Sequence, residues 1–327
     1  MQRSIWFIAG MFLILAGIFV TPASLAAVGI FDTSLASANP LVRQTALLEV
    51  RVFGWACLTL GLGVVLLAGI GPKLANSAAY TRFMARDMSY PPAYEWALIR
   101  GGIRAFWVIV GLTIAALIYI RFGPAVLSPE QLQFINREDG LLETGSALVL
   151  LLAAGVALRV SLRRGLPARL RNWHVVLGLL FFVMFGEEIS WGQRLFGFDT
   201  PEAMRNINVQ GEVNMHNMFG YFFDHAFILC FFIWGFVLPR AYVMSSEAQQ
   251  VLRWIGLPLP SFGLCFGALL ITLFQDQLVL KLVDNLAQVR LAEVRETLSA
   301  VLFLLLMRQS RKLLIFDSAP RSTSPAE

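Results

Sequence analysis

Charge is the scarcest property of this chain. Asp, Glu, Lys and Arg make up 14% of its 327 residues, against 57% hydrophobic. That balance excludes an ordinary soluble domain and indicates a polytopic membrane protein. Histidine is almost absent: His174, His216 and His225 are all there is, too few for several bis-histidine haem sites or a histidine-cage oxygenase. The three cysteines, Cys57, Cys230 and Cys265, sit inside apolar runs without metal spacing, which marks them as small core hydrophobes. There is no HExxH and no G-x-S-x-G elbow, so neither a zincin helix nor a hydrolase nucleophile turn is indicated. A net charge of +5 is modest, and nothing marks a nucleic-acid surface.

What the chain has in quantity is apolar run. A membrane-spanning helix needs ~20 apolar residues, and candidate runs fall at about 5–20, 53–70, 106–120, 141–160, 174–195, 218–238, 254–274 and 293–307. In lipid only a helix satisfies its own backbone, closed barrels aside, so the expected fold is all-α, a bundle of about eight spans. The first run is followed by Ala23-Ser24-Leu25-Ala26, which has the form of a signal cleavage site; an uncleaved anchor is the preferred reading. With both termini cytoplasmic, the inner loops collect most of the Lys and Arg, led by the cluster Arg159, Arg163, Arg164, Arg169 and Arg171. This is the positive-inside pattern of a bacterial inner-membrane protein. Three regions are expected: 1–122 with three spans, 123–312 with five spans and an outer-face polar site, and 313–327 as a disordered cytoplasmic tail.

The polar residues crowd toward the non-cytoplasmic ends of the later spans. Gly186-Glu187-Glu188-Ile189-Ser190-Trp191-Gly192-Gln193-Arg194 runs straight out of the apolar stretch 175–185. Ionisable groups at membrane depth are costly and face a protein interior or a wet cavity. Arg137 and Glu138 precede the fourth run, and Glu143 lies one turn inside it. Helical spacing puts Glu187, Ser190, Trp191 and Arg194 on one stripe, with Glu188 about 100° away. Glu212, His216, Gly220 and Asp224 fall at successive steps of four, with His225 alongside; Glu293 and Glu296 are one turn apart.

Three chemistries fit these residue types. A divalent metal (zinc, manganese or iron) has candidate ligands in Glu212, His216, Asp224, His225, Glu293 and Glu296, and a metal-bound water there would attack a lipid ester, amide or phosphodiester. Without metal, Glu187 or Glu188 serves as the catalytic base for glycosyl or phosphoryl transfer, and Arg194, with Arg137 or Arg205, binds a lipid phosphate or diphosphate. Arg137, Trp191, Gln193 and Asn214 would then hold a lipid or lipid-linked substrate carrying a phosphate. Alternatively the acids bind a cation or proton for transport. Each feature also has a plainer reading: interhelical ion pairs, an interfacial tryptophan, capping asparagines, and first-turn acids at a helix N-terminus.

The stretch 186–197, followed by Asn208-Val-Gln-Gly-Glu212-Val-Asn214-Met-His216-Asn217 and preceded by Arg137-Glu138-Asp139-Gly140, resembles a signature of bacterial polytopic membrane proteins whose activity is unassigned. It covers about residues 130–310. Ser190, His216 and Asp224 are also loosely similar in type to the Ser, Asp and His zinc ligands of ceramidase-like membrane hydrolases, which the resemblance would make a zinc amidase. The late His-x-x-x-His helix of that family is missing, since no histidine follows His225.

Overall fold

The structure, a computed structural model, describes residues 2–27, 32–86, 90–137, 140–208, 213–215, 218, 222–280, 282–283 and 289–316. It is all-α: among the described residues there is no strand beyond one isolated bridge between Asn208 and Met218. Ten helices carry the description: α1 Gln2–Phe19, α2 Pro40–Ala75, α3 Pro92–Arg100, α4 Ile103–Val126, α5 Leu141–Ser161, α6 Ala168–Glu188, α7 Phe222–Met244, α8 Ser246–Ile255, α9 Phe262–Thr272 and α10 Leu291–Phe316. Five of them (α2, α4, α5, α6 and α7) are long and apolar enough to cross a membrane. The run at 254–274 is not one helix. α8 stops at Gly256, a left-handed residue, and α9 starts only after the loop 257–261. α10 runs to Phe316, and residues 317–327 lie outside the described set.

The chain divides into two compact units, residues 1–87 with 200–226 and residues 88–199 with 227–327. Residue 122, the boundary read from the sequence, falls inside the second unit. In the first unit α1 packs antiparallel on α2 through glycines seven residues apart. A Cβ on Gly61 would stand 2.8 Å from the Gly10 carbonyl oxygen, and one on Gly17 2.7 Å from that of Gly54. Small residues at such a seam let two membrane helices approach backbone to backbone, where dispersion and weak polar contacts replace the missing hydrophobic drive.

In the second unit α5 lies between α6 and α10. Its inward face is small (Ala147, Ala153, Ala154, Ala157) and fully buried, so both neighbours pack closely. The α5–α6 connection is short, which makes them antiparallel. Thr297 near the start of α10 approaches the Leu142 carbonyl near the start of α5, so α10 runs parallel to α5 and antiparallel to α6. Across the seam between α6 and α10, Phe181 stacks on Phe303 with centroids 4.8 Å apart, and Phe227, Phe231 and Trp234 of α7 close around Phe303. α9 crosses α4 where Gly263 donates to the Gly101 carbonyl at 2.9 Å. A Cβ at Gly263 would collide with the Gly102 carbonyl.

The two ends of this unit differ chemically. At one end Tyr90 donates toward the Leu252 and Leu257 carbonyls and Tyr94 toward the Leu259 carbonyl. Glu95 there holds Arg253 at 2.8 Å, with Tyr242 bonded to both. Arg163 and Arg169 reach the Arg311 and Trp254 carbonyls at the same end. Glu143, Glu187, Glu188 and Glu293 gather at the other.

Candidate functional site

α6 carries the Glu187-Glu188 pair on its last turn and then stops. Ser190, Trp191 and Gly192 follow with φ of 44°, 52° and 77°. Left-handed backbone is free for glycine but costs ~1–3 kcal/mol at a residue such as Ser or Trp. The turn throws the Trp191 indole back over the helix end. Its Nε1 donates to Glu187 Oε1 at 2.7 Å, and the ring lies on Gly186, where a Cβ would stand 2.8 Å from it. The expected helical stripe of Glu187, Ser190, Trp191 and Arg194 therefore does not exist. Glu187 and Trp191 meet through a reversal, Ser190 is buried in the turn at 1% exposure, and Gln193 starts a separate short helix. The backbone of Arg194 belongs to that helix, while its side chain is outside the described set.

Glu188 points the other way, into the bundle. The Ser146 hydroxyl of α5 lies 2.6 Å from Glu188 Oε2 and 2.8 Å from the Glu143 carbonyl. Glu293, Glu143 and Glu187 also lie within electrostatic range of the Glu188 carboxyl. α5, α6 and α10 thus each bring acid to one spot. Arg295 is buried beside Glu293 and Glu296 on α10, at 6% exposure, and its Nη1 donates to Gln275 Oε1 at 3.1 Å. Arg290 approaches Glu293 at 3.5 Å, and Glu296 is half-buried one turn further on. Arg137 is exposed at the same end, its guanidinium over the Phe134 ring. Glu138 lies outside the described residues.

The remaining expected ligands are distributed differently. Glu212 and His216 lie outside the described residues. The spacing of four that linked them to Asp224 required a helix. Residues 213–215 are instead irregular, with Asn214 buried and bonded through its carbonyl and Oδ1 to Asn208 Nδ2 at 2.8 and 2.9 Å, and α7 begins only at Phe222. Asp224 and His225 belong to the first unit, where His225 Nδ1 pairs with Glu49 Oε2 at 2.7 Å. Glu293 and Glu296 belong to the second. Among the described residues no group of three or more His, Cys, Asp or Glu is placed to hold a metal ion; Glu212 and His216 of the expected ligand set lie outside those residues. His174, expected at the interface, is fully buried in α6.

Three site residues escaped the sequence reading. Ser146 lies three residues after Glu143, on the same helical face, and that spacing was its only signal. Arg295 reads as a first-turn surface charge yet is buried. Glu49 is a lone acid in a long apolar helix, and its partner is 176 residues away. No protein family, no curated protein and no solved structure matches this chain.

Proposed function

We propose that this is a multi-pass protein of a bacterial inner membrane, with eight spans and both termini cytoplasmic, and that its outer-face carboxyl cluster is an acid–base site acting on a lipid or lipid-linked substrate. The basic loops and the tyrosine–arginine network would face the cytoplasm by the positive-inside rule, which puts Glu143, Glu187, Glu188 and Glu293 under the opposite headgroups.

The observation that carries the reading is the 2.6 Å contact between Ser146 and Glu188 among three further carboxyls. A hydroxyl has one proton. Ser146 has acceptor oxygens on two sides, so a Glu188 that keeps its own proton and donates it to Ser146 completes the pairing. Glu188 then serves as general acid and a neighbouring ionised glutamate as base, the division of labour that paired carboxyls support. Arg137, and Arg194 across the turn, would take the substrate phosphate. The Phe181–Phe303 stack fills the seam inward of Glu188, which favours chemistry at one face over passage through the bilayer.

The test is lipid mass spectrometry on protein reconstituted into vesicles of total bacterial lipid. The wild type should convert at least one lipid class. Glu188→Gln, which preserves shape, should slow that conversion ~100-fold or more, the usual worth of a general acid. A lipid profile unchanged by the wild type, or changed equally by Glu188→Gln, overturns the proposal.

A further inference from the structure

The seam between α6 and α10 carries a second polar place that the outer carboxyl cluster does not use. The two helices are antiparallel, and Phe181 stacks on Phe303. Two turns back along α6 from Phe181 is His174, and two turns on along α10 from Phe303 is Ser310, so an antiparallel register continued from the stack brings both to the same level, ~10 Å from the phenyl pair toward the basic end of the unit. Leu170 and Leu314, one further turn out on each helix, share one buried cluster with Tyr94, which fits this register.

Both polar residues are 0% exposed. His174 Nδ1 bonds to the Leu170 carbonyl at 2.7 Å, which makes Nδ1 the protonated nitrogen and leaves Nε2 as a lone-pair acceptor. Among the described residues neither His174 Nε2 nor Ser310 Oγ has a hydrogen-bond partner of full geometry. The Tyr94 hydroxyl, already bonded to the Leu259 amide and carbonyl, is close enough to Ser310 to influence it without completing a bond of good geometry.

We infer that a single water molecule is bound between His174 and Ser310, donating to Nε2 and bonded to the serine hydroxyl, with Tyr94 at its edge. A buried water needs two to four polar partners and a polar, roomy setting; this place supplies three such groups. An acceptor left bare in the core would cost ~1–3 kcal/mol, which the bridge avoids. The inference is independent of any activity at the outer face.

With only three histidines, selective ¹⁵N-histidine labelling of the full chain in lipid, with His174→Gln for assignment, isolates the resonance. The expected result is an unprotonated, hydrogen-bonded Nε2 showing magnetisation transfer from water protons, and loss of that transfer in Ser310→Ala. Absence of water transfer in the wild type, a direct Ser310–His174 bond, or transfer unaltered in Ser310→Ala overturns the inference. The wild-type spectrum decides even if a variant folds poorly.

Discussion

The Ser146 hydroxyl and the Glu188 carboxyl meet at 2.6 Å across two helices, from positions 42 residues apart in the chain. Two variants separate the contact from the acid. Ser146→Ala removes the partner but leaves a carboxyl, so the conversion rate should fall less than in Glu188→Gln, while thermal stability drops by ~1–3 kcal/mol for the orphaned buried group. Glu188→Gln can still bond to Ser146 and should unfold near the wild-type temperature. Parallel rate and melting measurements check both statements, and equal rate losses in the two variants would contradict the acid's special role.

The α1–α2 seam makes a separate prediction. Gly17 faces the Gly54 carbonyl and Gly61 faces the Gly10 carbonyl, both within 2.8 Å of any added Cβ. Gly17→Val or Gly61→Val should force the helices apart and destabilise this pair by ~1–3 kcal/mol, as overpacking does elsewhere. Gly63→Val, where an added Cβ meets nothing within 4 Å, is the control. Crosslinking between cysteines placed on α1 and α2 should fall in the first two variants and hold in the third.

Much of the helical layout was legible in the sequence, because apolar length is a strong signal and lipid permits little besides helix. The carboxyl convergence at the ends of α5, α6 and α10 was legible for the same reason: Glu143, Glu188 and Glu293 are anomalies against an apolar background. Local geometry was not. Nothing in Ile189-Ser190-Trp191-Gly192 announces left-handed backbone at a serine and a tryptophan, since only Gly192 prefers it. A helix extrapolated through that turn therefore placed Ser190 and Arg194 on a stripe that does not form. Pairings such as His225 with Glu49 depend on which helices become neighbours, and a single chain's periodicity carries no such information. His174 and Ser310 show the same gap, since each looks ordinary until the Phe181–Phe303 stack sets the register.

The Trp191 reversal can be tested through its seat. Gly186 leaves the space the indole occupies, and Glu187 anchors the indole nitrogen at 2.7 Å. Gly186→Ala should push the ring off the helix end, break the anchor and shift Trp191 emission to the red as water reaches it. Subtracting the spectrum of Trp191→Phe isolates this one signal among the eight tryptophans. Glu187→Gln keeps an acceptor and should leave the emission nearly unchanged. A red shift in Glu187→Gln as large as in Gly186→Ala would mean that charge, and not the bond, holds the ring.

At the opposite end of the second unit, burial raises the ionisation of Tyr90 and Tyr94 above the ordinary tyrosine value of 10.0. Desolvation is the first cause for both, because a phenolate among Leu98, Leu252 and Leu259 has no water to stabilise it. The sign of the effect on stability follows from proton counting. Below pH ~10 both states keep the phenolic protons and the contribution is constant; above it the unfolded chain releases them while the folded chain holds on. Stability is therefore lost as pH rises from ~10 toward the folded-state values. Melting temperature measured in detergent between pH 8 and 11.5 should be flat and then fall. Tyr90→Phe and Tyr94→Phe should start lower, because the hydroxyl bonds to the 252–259 segment are gone. Each should also fall less steeply, because one titrating group has been removed. A fall that keeps its full steepness in the double Phe variant would place the alkaline sensitivity elsewhere in the chain.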